Sequence, residues 1–65
     1  MREWLIEARG INSQSDVAAR AQISQQMYSA IERGDANPSV ETAKRIAKAL
    51  NLPDWIRFFD DQQAS

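Results

Sequence analysis

The chain is predicted to fold as an all-α domain, a compact bundle of five short helices, and three observations carry that expectation. Apolar residues recur at three- and four-residue intervals in Val17/Ala18/Ala21, in Met27/Tyr28/Ile31 and in Val40, Ala43, Ile46 or Ala47, and Leu50. Serines stand at the start of these stretches, at Ser13, Ser24 and Ser39, where a hydroxyl can accept from an otherwise unpaired backbone N–H. Gly10, Gly34 and Asn51 stand where the stretches end.

With 65 residues the chain is one small domain, near the lower limit for burying an adequate core unaided. Helical packing or dimerisation must therefore supply the stability. Cysteine and histidine are both absent, which excludes disulfides, thiol chemistry, zinc fingers and histidine-based catalysis. No nucleophile–base pair and no metal-ligand set can be assembled, so an enzyme is the least favoured class and no cofactor or metal is called for. There is neither a membrane-spanning apolar run nor a signal-peptide pattern, which makes the cytoplasm the default location.

Taken in order, the first helix is expected from Met1 to about Ile11. Trp4, Leu5, Ala8 and Ile11 would form its apolar face, Arg2, Glu3, Glu7 and Arg9 its solvated side, and Gly10 its terminator. The second, Gln14 to Ala21, opens on Ser13 with Asp16 in capping-box position. The stretch Ala21-Gln22-Ile23-Ser24 is too short for anything but a turn, so the second and third helices must cross over a shared core. Ala18 suits their closest approach. The third helix, Gln25 to Arg33, would turn Met27, Tyr28 and Ile31 inward and Gln25, Gln26, Ser29, Ala30 and Arg33 outward. Gly34 ends it, and Asp35-Ala36-Asn37-Pro38 is a turn-rich connection.

The fourth helix, Val40 to Leu50, has the cleanest periodicity, with Ser39 as its cap and Glu41 near the positive end of its dipole. Lys44, Arg45 and Lys48 form a basic cluster that reads first as a solvated face and second as a source of long-range attraction. Pro53 opens a last short helix, 54–59, in which Trp55 and Phe59 share i, i+4 spacing and should close the core. Ile56 or Phe58 would then be left outside as a dimer contact. Residues 1–59 form the domain and 60–65 a polar tail.

Gln14, Ala18, Ile23, Ser24, Gln25, Tyr28 and the run Ile31-Glu32-Arg33-Gly34, followed by Asn37-Pro38-Ser39, carry a resemblance. The chain resembles the Cro/phage-repressor (XRE-like) helix-turn-helix domains over nearly its whole length. The resemblance implies a lambda-repressor-like bundle that places the helix at 25–33 in the major groove of double-stranded DNA. It also implies an ion pair between Arg9 and Glu32, although the interval from Arg9 to Gln14 is shorter than usual and Arg9 reads equally well as a solvated surface charge. Where relatives often have glycine in the turn this chain has Gln22, which should cost roughly 1 kcal/mol of strain at positive φ.

Within that resemblance, Gln25, Gln26 and Ser29 are the expected base-reading residues, because a glutamine amide matches the N6/N7 edge of adenine. Taken alone, two glutamines would be ordinary polar residues on a solvated face. Gln14, Ser24, Arg33 and Asn37 are the expected phosphate contacts, helped by helix N-termini that present free donors. Asp35 would be repelled by phosphate unless it points away. The implied function is sequence-specific transcriptional regulation, a repressor in the first instance, acting as a homodimer on a pseudo-palindromic operator.

One observation counts against this: with eight basic and nine acidic residues the net charge is −1 and the pI near 5.2, unlike a general nucleic-acid coat. It motivates the rival expectation of a protein-interaction module, such as an antitoxin or anti-repressor partner, built on the same fold.

Overall fold

The computed structural model describes residues 1–59, so the polar tail at 60–65 lies outside the described residues. Four α-helices follow one another: α1 (Glu3–Arg9), α2 (Gln14–Ala21), α3 (Gln25–Arg33) and α4 (Val40–Ala49). Helical backbone resumes at 57–59, at the edge of the described residues, as the start of a fifth helix. No strand occurs among the described residues.

The serine caps act where expected. Ser13 Oγ accepts from the Asp16 N–H (3.0 Å), Ser24 Oγ from Met27 (3.0 Å) and Ser39 Oγ from Thr42 (3.2 Å), which satisfies one orphan donor at each helix start. Gly34 closes α3 in the left-handed region at φ 85°, and its N–H returns to the last turn of the helix. Gln22 closes α2 at φ 62°, ψ 39°, the conformation expected to be strained in a residue with a Cβ.

α2 packs chiefly against α4 and α3, and α1 meets α3. Leu5, Val17, Ala18, Ala21, Tyr28, Ile31, Ala43, Ile46 and Phe58 form the buried core. Small side chains on α2 and α4 let these helices approach closely. The outcome is that α3, supported from behind, presents its outer side to solvent.

Several expectations need correction. α1 stops at Arg9 because Gly10, at φ 60°, turns the chain, so Ile11 is fully exposed instead of completing the apolar face. Met27 and Val40 are each about half exposed. The buried side of α3 is centred on Tyr28, Ile31 and Glu32, which leaves Met27 at its rim, and Val40 overhangs the core in the first turn of α4.

Phe58 is not an outward dimer contact: it is fully buried, edge-on to Trp4 at 4.9 Å between ring centroids. Helical backbone starts at residue 57 instead of 54, and this change of phase turns Phe58 inward. Trp55 and Phe59 pair at 5.9 Å and pack half-buried against the edge of the core, while Ile56 stays exposed. Arg2, expected in solvent, is 3% exposed.

Candidate nucleic-acid interface

α3 owes its position to a buried polar group. Glu32 lies on its inner face, 3% exposed, and accepts from Arg9 Nε (2.6 Å), Arg9 Nη2 (3.3 Å) and Gln14 Nε2 (2.9 Å). A carboxylate with a forked partner and an amide donor has the acceptor satisfaction that burial demands. The Arg9–Glu32 pair is therefore present, and Arg9 is not a freely solvated charge. Its guanidinium also donates to the Asn12 carbonyl at 2.9 Å, which braces the connection from α1 to α2.

Burial alone would raise the Glu32 carboxyl. Hydrogen bonds from Arg9 and then Gln14 outweigh it and hold the group below the ordinary carboxylate range. Glu32 in turn holds the Arg9 guanidinium above its usual value. The Tyr28 hydroxyl faces this pair, buried and without a hydrogen bond of ordinary geometry among the described residues. Its burial first, and the Glu32 charge after it, push the phenol well above its normal range.

The outer side of α3 forms one wall of an open groove. Gln14 from the start of α2 and Gln25, Gln26, Ser29 and Arg33 from α3 line it. The structure thus brings together all three expected base-reading residues with two of the expected phosphate contacts. Gln25 and Gln26 are exposed in the first turn, at the positive end of the α3 dipole. Arg33 is tethered: Nη1 donates to Ser29 Oγ at 2.6 Å and Nε to Asp35 Oδ2 at 2.9 Å. Asp35 consequently spends its charge on Arg33.

Ser24 and Asn37 do not line the groove. Ser24 is exposed at the α3 cap, and Asn37 lies in the loop between α3 and α4. Asn37 Oδ1 accepts from Arg2 Nη2 at 2.8 Å. Sequence reasoning gave Arg2 no role, since Ile31, Ala36 and Asn37, which it meets, lie 29 to 35 residues away and no local spacing marks them.

The remaining cations are elsewhere. Arg20, Arg45 and Lys48 border a separate groove at the C-terminal ends of α2 and α4. Lys44 sits over the Trp55 ring and Arg57 over Trp4. Among the described residues no cluster of three or more His, Cys, Asp or Glu could hold a metal ion, and no helix is long and apolar enough to cross a membrane.

Two short helices crossing through a tight turn, with polar side chains along the exposed side of the second, define a helix-turn-helix module. The helix-turn-helix family model matches residues 3–54, and the chain belongs to that family. It is similar to YqaF of Bacillus subtilis strain 168, described as an uncharacterized HTH-type transcriptional regulator, at 42% identity over 64 residues. That match spans 94% of this chain and 82% of the relative. It is also similar to the HTH-type transcriptional regulator DdrOP3 of Deinococcus deserti, at 37% identity over 65 residues, covering 92% of this chain and 50% of that protein. No solved structure matches the chain.

Proposed function

We propose that this protein is a sequence-specific double-stranded-DNA-binding transcriptional regulator, and in particular a repressor that occupies an operator with α3 in the major groove. The observation that carries the reading is the pair of exposed amides, Gln25 and Gln26, in the first turn of α3, with Gln14 of α2 framing the same groove. Each amide can donate and accept in the plane of an adenine edge, a match worth about 1–3 kcal/mol of discrimination against a wrong base. Ser29 adds a hydroxyl one turn further along.

The backbone contacts in this reading are Gln14, Ser24, Arg33 and Asn37. Gln14 has one Nε2–H committed to Glu32 and offers the other, together with the free backbone donors of the α2 start. Ser24 Oγ accepts from Met27 as a cap and can still donate its own proton outward. Arg33 reaches a phosphate by exchanging Asp35 for it. With few cations at the interface one copy binds weakly, so the working form is a homodimer across a pseudo-palindrome with half-sites roughly 34 Å apart. Ile56, exposed beside the core, is the candidate dimer contact.

The test is selection of bound duplexes from a random pool at near-physiological salt, with wild type beside the Gln25→Ala/Gln26→Ala double variant. A palindromic motif that loses information in the variant is the expected outcome. A folded protein that enriches no motif would refute the reading and favour the partner-binding module, whose affinity for a protein ligand would survive both glutamine substitutions. Equal binding to half-site and full-site DNA with unit stoichiometry would remove the dimer.

A further inference from the structure

Arg2 is a cation folded into the interior beside the end of α3. Its backbone N–H donates to the Glu32 carbonyl at 2.7 Å, and Nη1 donates to the carbonyls of Ile31 and, at 3.3 Å, of Ala36. Nη2 donates to Asn37 Oδ1 at 2.8 Å. One guanidinium therefore spans the last turn of α3 and the loop that leads to α4. The carbonyl end of a helix is where a cation is favoured by the dipole, and this one is 3% exposed.

The contact to Asn37 has a chemical consequence. An amide side chain has an accepting end and a donating end, and by shape alone either could face inward. A guanidinium has five N–H donors and no acceptor. The end of Asn37 that faces Arg2 must be the carbonyl oxygen, so the NH₂ group is the end left toward solvent on this exposed residue. An amide fixed this way presents donors outward, which is what an anionic oxygen requires and what a water-facing, freely rotating asparagine would present only part of the time.

We propose that Arg2 is a positioning residue for anion recognition by the loop: it locks the Asn37 amide with its Nδ2 donors outward, so that Asn37 meets a DNA phosphate pre-aligned. This rests on the DNA-binding reading above and adds to it a residue that never touches the nucleic acid. Pre-alignment removes the rotational entropy that Asn37 would otherwise lose on binding.

A binding cycle on the selected operator duplex tests it, with wild type, Arg2→Met, Asn37→Ala and the double variant, each measured below its own melting transition. For each half-site occupied, Asn37→Ala and Arg2→Met should each weaken binding by about threefold to tenfold, the range of one hydrogen bond. The double variant should be no weaker than Asn37→Ala alone, because Arg2 acts through Asn37. A general loss of structure would instead give losses that multiply. Arg2→Lys, whose ammonium also only donates, should recover part of the affinity and carries the cycle if the methionine variant does not fold.

Asn37→Asp separates folding from recognition. A carboxylate beside Arg2 should melt no lower than wild type, yet it offers no donor and should bind DNA more weakly than Asn37→Ala. The salt dependence should be the same for wild type and Arg2→Met; a slope reduced by about two, one contact from each half-site, would make Arg2 a direct phosphate contact and overturn the proposal. Multiplicative losses, or Asn37→Asp binding as well as wild type, would overturn it while leaving the DNA-binding reading intact. Absence of any operator would remove both together.

Discussion

Replacing Arg9 with methionine should be among the most damaging single changes outside the apolar core, and the reason is the group left behind. Glu32 keeps 4% of its side-chain surface exposed and Arg9 keeps 20%. Stripping one partner from a buried pair costs roughly 3–5 kcal/mol, and the wetter Arg9 edge argues for about 3. In a chain of 65 residues that corresponds to a fall in Tm of roughly 12–24 °C, at about 4–8 °C per kcal/mol. Adding Glu32→Gln should return much of this loss, since the buried charge is gone and the amide oxygen can still accept from Gln14.

The pH dependence gives the same test with a sign. In wild type the folded-state Glu32 carboxyl lies below its unfolded value, so its stabilisation is complete above the unfolded value and is lost as pH falls through the folded one. In Arg9→Met the burial that Arg9 had outweighed dominates, the folded-state value rises, and stability should instead fall as pH rises through the carboxylate range. Thermal melts followed by circular dichroism from about pH 3 to 7 would show slopes of opposite sign. Melting of Arg9→Met within a few degrees of wild type, or no recovery on adding Glu32→Gln, would refute this account of what seats α3.

Three further outcomes are expected. Gln22→Gly should relieve the positive-φ strain at the turn and raise stability by up to about 1 kcal/mol in urea denaturation, the gain being trimmed by the freedom glycine adds to the unfolded chain. Phe58→Ala should cost roughly 3–5 kcal/mol as a core truncation, while Ile56→Ala should stay within about 0.5 kcal/mol and lower only the cooperativity of binding to full-site DNA in mobility-shift titrations. Asp35→Asn should free Arg33 and tighten binding to operator and random duplex alike, as measured by fluorescence anisotropy.

What could be read from the sequence was what short-range chemistry decides. The caps at Ser13, Ser24 and Ser39 depend on a donor three residues away, and the faces of α2 and α4 on their own periodicity, so the helix-turn-helix is legible in local sequence. Phe58 shows the limit. Whether it or Phe59 turned inward depended on where the last helix began, and that start is set by packing against Trp4, a residue 54 positions earlier. Arg2 is harder still, because a lone arginine near a helix start gives no sign of carbonyls 29 and 34 residues away. Arg9–Glu32 lay between these cases: the resemblance named the partners, and only the fold could decide between a pair and a solvated charge.

The net charge of −1 remains to be reconciled with a phosphate-rich partner, and the placement of the cations does so. Of eight Lys and Arg, Arg33 alone lines the α3 groove. Arg2 and Arg9 are committed to the interior, Arg20 and Arg45 pair with Asp16 and Glu41, Lys44 and Arg57 lie over indole rings, and Lys48 borders the other groove. The groove and loop therefore offer uncharged donors, from Gln14, Ser24, Gln25, Gln26 and Asn37, more than they offer charge. Counterion release scales with the phosphates neutralised by cations, with a slope near −0.9 for each. A dimer contributing one Arg33 per half-site should show log K falling against log salt with a slope of about −2. Non-specific affinity, which comes almost wholly from that electrostatic term, should be correspondingly low, so the ratio of operator to random-duplex binding is high although the absolute affinity is modest. Titrations of operator duplex across 50 to 300 mM salt would measure this; a slope of about −6 or steeper would mean that the Arg20/Arg45/Lys48 groove or Lys44 meets DNA, and the docking face assigned to α3 would have to be redrawn.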